Sequence, residues 1–315
     1  MNSTRIVVVG IGLFFALSCG QKVKETQING SGLHRIDVES TQGAREFYSW
    51  SADRIPLVSA HRGGAYPGFP ENAIETFEHV LKYTPAIIEL DVAMTKDSVL
   101  ILMHDDDLER TTNGQGKVDE VDFAYIQTLQ LEDNDGKLTN FKVPTLAEAL
   151  DWAEGKALLT VDIKRTVPFE KVAEEVKNAE AEPFAALISY TFPAAKKLHN
   201  LAPELMLSVT IRNQEEIKRF EETGIPWTRV IAFTGLAERP LEFNQAIHEK
   251  GAFTILGVLG NLDRQAIARG DEIYAGFVQR GADILATDRP IEAAQAISGL
   301  VPGNSSKAKF FIHDN

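Results

Sequence analysis

Four short segments place reactive side chains where an apolar run stops. His61-Arg62-Gly63-Gly64 follows Leu57–Ala60, and Glu89 and Asp91 stand two apart near the end of Ile87–Val92. His104-Asp105 closes Val99–Met103, and Asp162 and Lys164 end Leu158–Ile163. Side chains two apart on a strand point to the same side. Two carboxylates facing one way are costly unless a cation lies between them or a proton is shared. Glu89, Asp91 and Asp162 therefore read as a hard, all-oxygen site suited to one divalent cation, Ca²⁺ or Mg²⁺. Zinc suits it less, since the chain has one cysteine and the two histidines have a better use. Arg62 offers a planar fork that fits phosphoryl oxygens, and Lys164 adds a point charge. His61 and His104 could serve as base and acid around one phosphorus, since imidazole in general titrates near neutrality. The chemistry expected of this set is phosphodiester cleavage.

Such residues converge only if the elements carrying them end on one rim. Candidate strands are Leu57–Ala60, Ile87–Val92, Leu158–Ile163, Leu187–Tyr190, Met206–Thr210, Val230–Phe233, Thr254–Leu256 and Ile284–Ala286. Between them, apolar residues recur at helical spacing in Asn72–Leu81, Leu146–Ala153, Phe169–Ala179, Ala194–Leu201, Gln214–Glu222, Leu241–Lys250 and Ile291–Ile297. Thr145-Leu146-Ala147-Glu148 reads as a capping box. Eight strand–helix alternations match the size and rhythm of a closed (β/α)₈ barrel, an α/β fold whose chemistry sits at the C-terminal ends of its strands. A doubly wound open sheet competes with it, because patterns in one sequence do not show closure. His104 to Lys142 is too long and polar for an ordinary connection. It predicts an insertion at the ligand-facing end over about 104–142, with a small extra strand pair around Val99–Met103. Trp152 and Trp227 read as packing residues. Tyr66, Phe69, Tyr190 and Phe233 are candidates to line a pocket near the strand ends.

The 315 residues carry 32 Lys+Arg against 45 Asp+Glu, a formal charge of −13 that argues against a nucleic-acid partner. The single cysteine excludes a disulfide framework. Arg5 followed by the apolar run Ile6–Leu17 is too short to span a bilayer and reads as an export signal. Ala16-Leu17-Ser18-Cys19 resembles the processing box of bacterial lipoproteins, with Ala16 where Leu is usual. The expected organisation is a signal peptide over 1–18, a lipidated Cys19 opening a tether and lead-in over 19–50, one catalytic domain over 51–300, and a surface tail over 301–315. In that tail, Phe310, Phe311 and Ile312 are candidates to dock. The chain would then be held in a bacterial cell envelope by its lipid, facing the periplasm, or else be secreted. The sequence leaves its oligomeric state open.

The same residues carry a resemblance. His61-Arg62-Gly63-Gly64, Pro70-Glu71-Asn72, Glu89-Leu90-Asp91-Val92, Thr95-Lys96-Asp97, and His104-Asp105 with Leu108-Glu109-Arg110-Thr111-Thr112-Asn113-Gly114 occur in order. Pro144-Thr145-Leu146, Asp162-Ile163-Lys164, Gly281-Ala282-Asp283 and Thr287-Asp288-Arg289-Pro290 extend them. Together they resemble the glycerophosphodiester phosphodiesterase family over about 56–297. The resemblance implies a (β/α)₈ barrel of the phospholipase-C-like type with an inserted segment after the second strand. It also implies cation-dependent hydrolysis of a glycerophosphodiester to glycerol 3-phosphate and an alcohol. By it, His61 and His104 match the catalytic histidines and Arg62 the phosphate-binding arginine. Lys164 matches the lysine beside the third metal ligand, Glu89 and Asp91 match metal ligands, and Glu71 lies close to the metal. The related phospholipase-like route, in which a substrate hydroxyl attacks first and water opens the cyclic phosphate, stands beside direct attack by water.

Two departures qualify what is implied. Asp162 stands where the family usually has glutamate, one methylene longer. The family's Trp-Thr pair in the seventh strand is missing from Thr254–Asn261, and a longer stretch, Leu262 to Gln279, follows. The phosphate and metal apparatus matches while the alcohol side does not. This leaves two further hypotheses: a lysophospholipase D-like or other phosphodiesterase with a non-standard alcohol pocket, and a surface lipoprotein that binds a phosphoester without turning it over.

Overall fold

The computed structural model describes residues 32–313. Its strands are β1 (His34–Ile36), β2 (Leu57–Ala60), β3 (Ile87–Met94), β4 (Leu100–Leu102), β5 (Leu158–Ile163), β6 (Ala185–Ser189), β7 (Met206–Thr210), β8 (Val230–Phe233), β9 (Phe253–Gly257), β10 (Ile284–Thr287) and β11 (Phe311–His313). Eight of these, β2, β3 and β5 to β10, are parallel neighbours in chain order, and β2 pairs with both β3 and β10. The sheet is therefore closed, which decides for the barrel over the open sheet. Strands such as Leu158–Ile163 are buried along their whole length, as expected where helices cover one face and the barrel core fills the other. The helices Leu146–Ala153, Phe169–Asn178, Phe192–Leu201 and Gln214–Glu221 fall within two residues of their expected bounds. The first begins with the anticipated Thr145–Glu148 capping box. Trp152 packs on Phe77 and Trp227 on Phe220, both in packing roles.

Strand register sorts the side chains. Ala286 is level with Ser59, Ser59 with Ile87, Glu89 with Thr160, and Asp91 with Asp162. Thr160 is level with Ala186, Ile188 with Ser208, Ser208 with Ile231, and Phe233 with Ile255. Paired residues and those two further along share a face, so one inner face runs round the whole barrel. At its C-terminal end that face presents His61, Asp91, Asp162, Tyr190, Thr210, Phe233, Gly257 and Asp288. Both acids and both residues flanking the closing seam reach one mouth because this parity returns to itself after eight strands.

β3 continues beyond the barrel, and its last residues pair antiparallel with β4. This is the small extra strand pair expected at the start of the insertion. Ala93, Ile101, Met103, Leu108, Val118, Ile126, Leu129 and Leu131 form a second apolar cluster there, so the insertion has a core of its own.

The opposite, N-terminal end is closed by chain that the sequence reading assigned no element. Ser40 caps a helix over Thr41–Tyr48 whose Phe47 packs on Phe310 and Phe311, and β1 pairs antiparallel with β11. The docking of Phe310 and Phe311 is thus seen, with the helix as its partner. The signal segment and Cys19 lie outside the described residues. Beside this layer, Asp283 is fully buried and accepts from Arg54, from His248 at 2.8 Å and from the Thr254 amide at 2.7 Å. Trp50 stacks on His248 at 4.6 Å. Removing the acid of such a set leaves a half-buried guanidinium and two buried donors uncompensated. Asp283→Ala should cost about 3–5 kcal/mol of stability in a denaturant titration, while the specific activity of the folded fraction stays unchanged.

Candidate active site

Glu89, Asp91 and Asp162 each point an oxygen into one small volume, all within 4.8 Å of one another. Asp91 and Asp162 are buried. Burial first, and then the charge of Asp91, push the Glu89 carboxyl well above the usual carboxylate range. Asp91 is treated differently: burial would raise it, but Lys164 and the Asn72 amide hold it below its ordinary value. The Lys164 ammonium lies 2.6 Å from Asp91 and 3.1 Å from Asp162. Asn72 donates to the Asp91 carboxylate at 2.8 Å and accepts from the Asp91 amide at 3.0 Å, so its side chain clamps that residue. This buried, oxygen-only donor set is able to hold a divalent cation. Glu71 stands outside it.

The turn after β2 aims three groups. Arg62 has φ 52°, a left-handed conformation that turns its amide to donate to Glu89 at 2.6 Å. Its guanidinium donates to Glu71 at 3.1 Å, and its buried Nε, 3.8 Å from Asp91, has no hydrogen-bond partner. Gly63 combines φ +84° with a site where an added Cβ would lie 2.2 Å from the Phe77 ring. Phe77, rather than a ligand, occupies that space, so this glycine serves the turn. His61 Nδ1 lies 2.7 Å from the Asp288 carboxylate. Burial alone would lower the His61 pKa; the Asp288 hydrogen bond and the Glu89 charge outweigh it and leave the value raised. Asp288 is itself held in place, with its amide donating to the buried Asp263 at 2.8 Å.

The second histidine is built from the insertion. His104 Nδ1 lies 2.6 Å from Asp105. Arg110 bonds both Asp105 and Glu71, and its hydrogen bond holds the Asp105 carboxyl well below the usual range. The Met103 amide donates to the Asp91 carbonyl at 3.0 Å, which sets His104 beside that strand end, while His61 adjoins Arg62, whose amide bonds Glu89.

The rest of the mouth differs in character. Tyr190 is 62 % exposed beside Asp162; burial of its hydroxyl, then that carboxylate, raises its pKa. Phe233 and the 57 % exposed Leu236 crowd over Gly257, where an added Cβ would meet Leu236 at 2.6 Å and Phe233 at 3.0 Å. Tyr190 and Phe233 thus sit at the mouth as expected. Tyr66 instead bonds Glu292, and Phe69 stacks on His79.

The comparisons with known proteins agree with this geometry. The model of the glycerophosphoryl diester phosphodiesterase family matches residues 61–208. A glycerophosphodiester phosphodiesterase of Bacillus subtilis is 33 % identical over 219 residues, covering 60 % of this chain and 74 % of that protein. One from Caldanaerobacter subterraneus is 28 % identical over 197 residues, covering 60 % and 76 %. The crystal structure of a glycerophosphoryl diester phosphodiesterase from Parabacteroides distasonis superposes with a TM-score of 0.86 at 39 % identity, covering 89 % of this chain and 99 % of that one. The chain belongs to the glycerophosphodiester phosphodiesterase family.

As a member of that family it is a phosphoric diester hydrolase. Four residues of its site had no assigned role in the sequence reading: Asn72, Asp105, Arg110 and Asp288. Each stands inside a quoted motif, so a signal existed. A carboxylate at a strand end beside a histidine was the legible part for Asp105. Nothing local pairs Asp288 with His61, 227 residues away. Because the raised His61 value depends on Asp288, Asp288→Asn removes a charge that favours the protonated imidazole. The His61 pKa, followed by NMR, should begin above about 6.5 in the parent and fall in the variant.

Proposed function

We propose that this hydrolase cleaves a glycerophosphodiester to glycerol 3-phosphate and an alcohol, with His61 and His104 exchanging protons across one phosphorus. The observation that carries the reading is that two imidazole–carboxylate pairs, His61–Asp288 and His104–Asp105, stand next to residues bonded to members of the three-carboxylate cluster, Arg62 to Glu89 and Met103 to the Asp91 carbonyl. Arg62 and Lys164 are the phosphate-holding cations. In support, the Arg62 Nε is a buried donor with no acceptor beside the acids. One imidazole takes the proton of the attacking hydroxyl and the other gives a proton to the leaving alcohol oxygen. The attacking oxygen is either water or a substrate hydroxyl next to the phosphate.

Glu89, Asp91 and Asp162 are the residues to hold one Ca²⁺ or Mg²⁺, with Glu71 as a neighbour rather than a ligand. A bound divalent cation would stabilise negative charge building on the phosphoryl oxygens. The fit is supported by three carboxylate oxygens held within 4.8 Å of one another, a crowding of acids that a cation relieves. Chelation with EDTA should abolish hydrolysis of glycerophosphocholine, and Ca²⁺ or Mg²⁺ should restore it. Full activity after thorough chelation would remove the cation from the account.

A second reading concerns the substrate. Tyr190, Phe233 and Leu236 form an apolar arc at the mouth, which suits a substrate whose glycerol carries an acyl chain, as in a lysophospholipid cleaved to its acylglycerol phosphate and head alcohol. Turnover of glycerophosphocholine, glycerophosphoinositol and a lysophospholipid separates the two. Leu236→Ser should lower activity on the last by several-fold and leave the first two unchanged if the arc serves an acyl chain. The proposal extends to attachment at Cys19 in a bacterial envelope, which rests on Ala16-Leu17-Ser18-Cys19 alone.

A further inference from the structure

We infer that Arg110, carried by the insertion, is a positioning residue that sets the orientation of His104 through Asp105 while tying it to Arg62 through Glu71. The inference rests on the proposed acid–base role of His104 and assigns that role its support.

The guanidinium bridges two carboxylates that belong to different elements. Asp105 lies shortly after β4, beside His104, whereas Glu71 lies in the loop before the helix Ile74–Leu81. Arg110 Nε donates to one Asp105 oxygen at 2.5 Å, and an Nη donates to the other at 3.0 Å. The Nη groups reach Glu71 at 2.7 and 3.0 Å. Four of the five guanidinium N–H donors are therefore committed to carboxylates. Glu71 is buried, and its other partner is Arg62. The contacts form one unbroken chain: His104, Asp105, Arg110, Glu71, Arg62. The planar, two-sided fork of arginine can hold both acids in fixed relation, which a lysine ammonium cannot.

A purely structural role for Arg110 is disfavoured by its surroundings. Its side chain is 44 % exposed and that of Asp105 30 %, so the Arg110–Asp105 pair is open to solvent and adds little to stability. The segment has its own anchorage, with Leu108 and Thr112 buried and the Thr112 hydroxyl donating to the Leu108 carbonyl at 2.7 Å. Glu71 keeps Arg62 when Arg110 is lost. What Arg110 alone supplies is the second hold on Asp105, and Asp105 is what fixes the Nδ1 side of His104.

The test is a double-mutant cycle on the full chain with its cation, using Arg110→Ala, His104→Ala and the pair, with kcat and KM for glycerophosphocholine and a thermal melt for each. A misplaced catalytic group costs up to about 100-fold, so Arg110→Ala should lower kcat by about 10- to 100-fold, leave KM within about 3-fold and leave Tm unchanged. In the His104→Ala background the same change should cost nothing further, because the group being positioned is gone. Added guanidinium should restore part of the kcat of Arg110→Ala but none of that of His104→Ala. An unchanged kcat, a rise in KM alone, or an undiminished effect in the His104→Ala background would each overturn the inference while leaving His104 its role. If His104→Ala retains full activity, the acid–base assignment falls and the inference falls with it. Should Arg110→Ala fail to fold, Arg110→Lys decides. It keeps the charge and loses the fork, so kcat should still fall several-fold, and parent-level kcat would overturn the inference.

Discussion

Three carboxylates sharing one small buried volume are the constraint around which this molecule is arranged. Left to themselves they would repel, protonate or push their strands apart. Much of the surrounding detail answers that problem. Lys164 lies against Asp91 and Asp162, the Arg62 amide is turned onto Glu89 by a left-handed backbone, and the Asn72 side chain holds Asp91 from two sides. Only a stiff scaffold keeps such a set together. The closed barrel provides it, because a one-residue slip of β3 or β5 would carry Asp91 or Asp162 to the outer face.

The fold and the reactive groups were largely legible in the sequence because both leave local marks. A strand buried on two faces reads as an uninterrupted apolar run, so a polar residue at its end stands out, as Asp162 does after Leu158–Val161. The helix over Thr41–Tyr48 was not legible. It is short, has a polar outer face, and is fixed by Phe310 and Phe311 from the far end of the chain. The partners of the histidines fell between these cases. Asp105 is adjacent to His104, but Asp288 reaches His61 only when the last strand closes against the first. Closure itself is a long-range event with no local signature, which is why an open sheet competed until β2 was found between β3 and β10.

The mouth of the barrel is divided. Strands β2, β3, β5 and β10 bring charge, while β6 to β9 bring Tyr190, Thr210, Phe233 and Gly257. The charged half is tied together by bonds crossing from strand to strand, so one change there disturbs several groups. The apolar half makes few such bonds and is shaped by bulk, as where Phe233 and Leu236 fill the space over Gly257. The charged and the apolar halves are thereby carried by different strands.

The ribbon of β1 and β11 has a topological consequence. Its register sets His34 opposite His313, with their ring nitrogens 3.0 Å apart. The first and last described strands are thus direct neighbours, on the side of the molecule away from the reactive mouth. A short linker joining these ends would make the folded domain a continuous loop, which could be reopened at a surface connection elsewhere to give a circular permutant with an undisturbed interior.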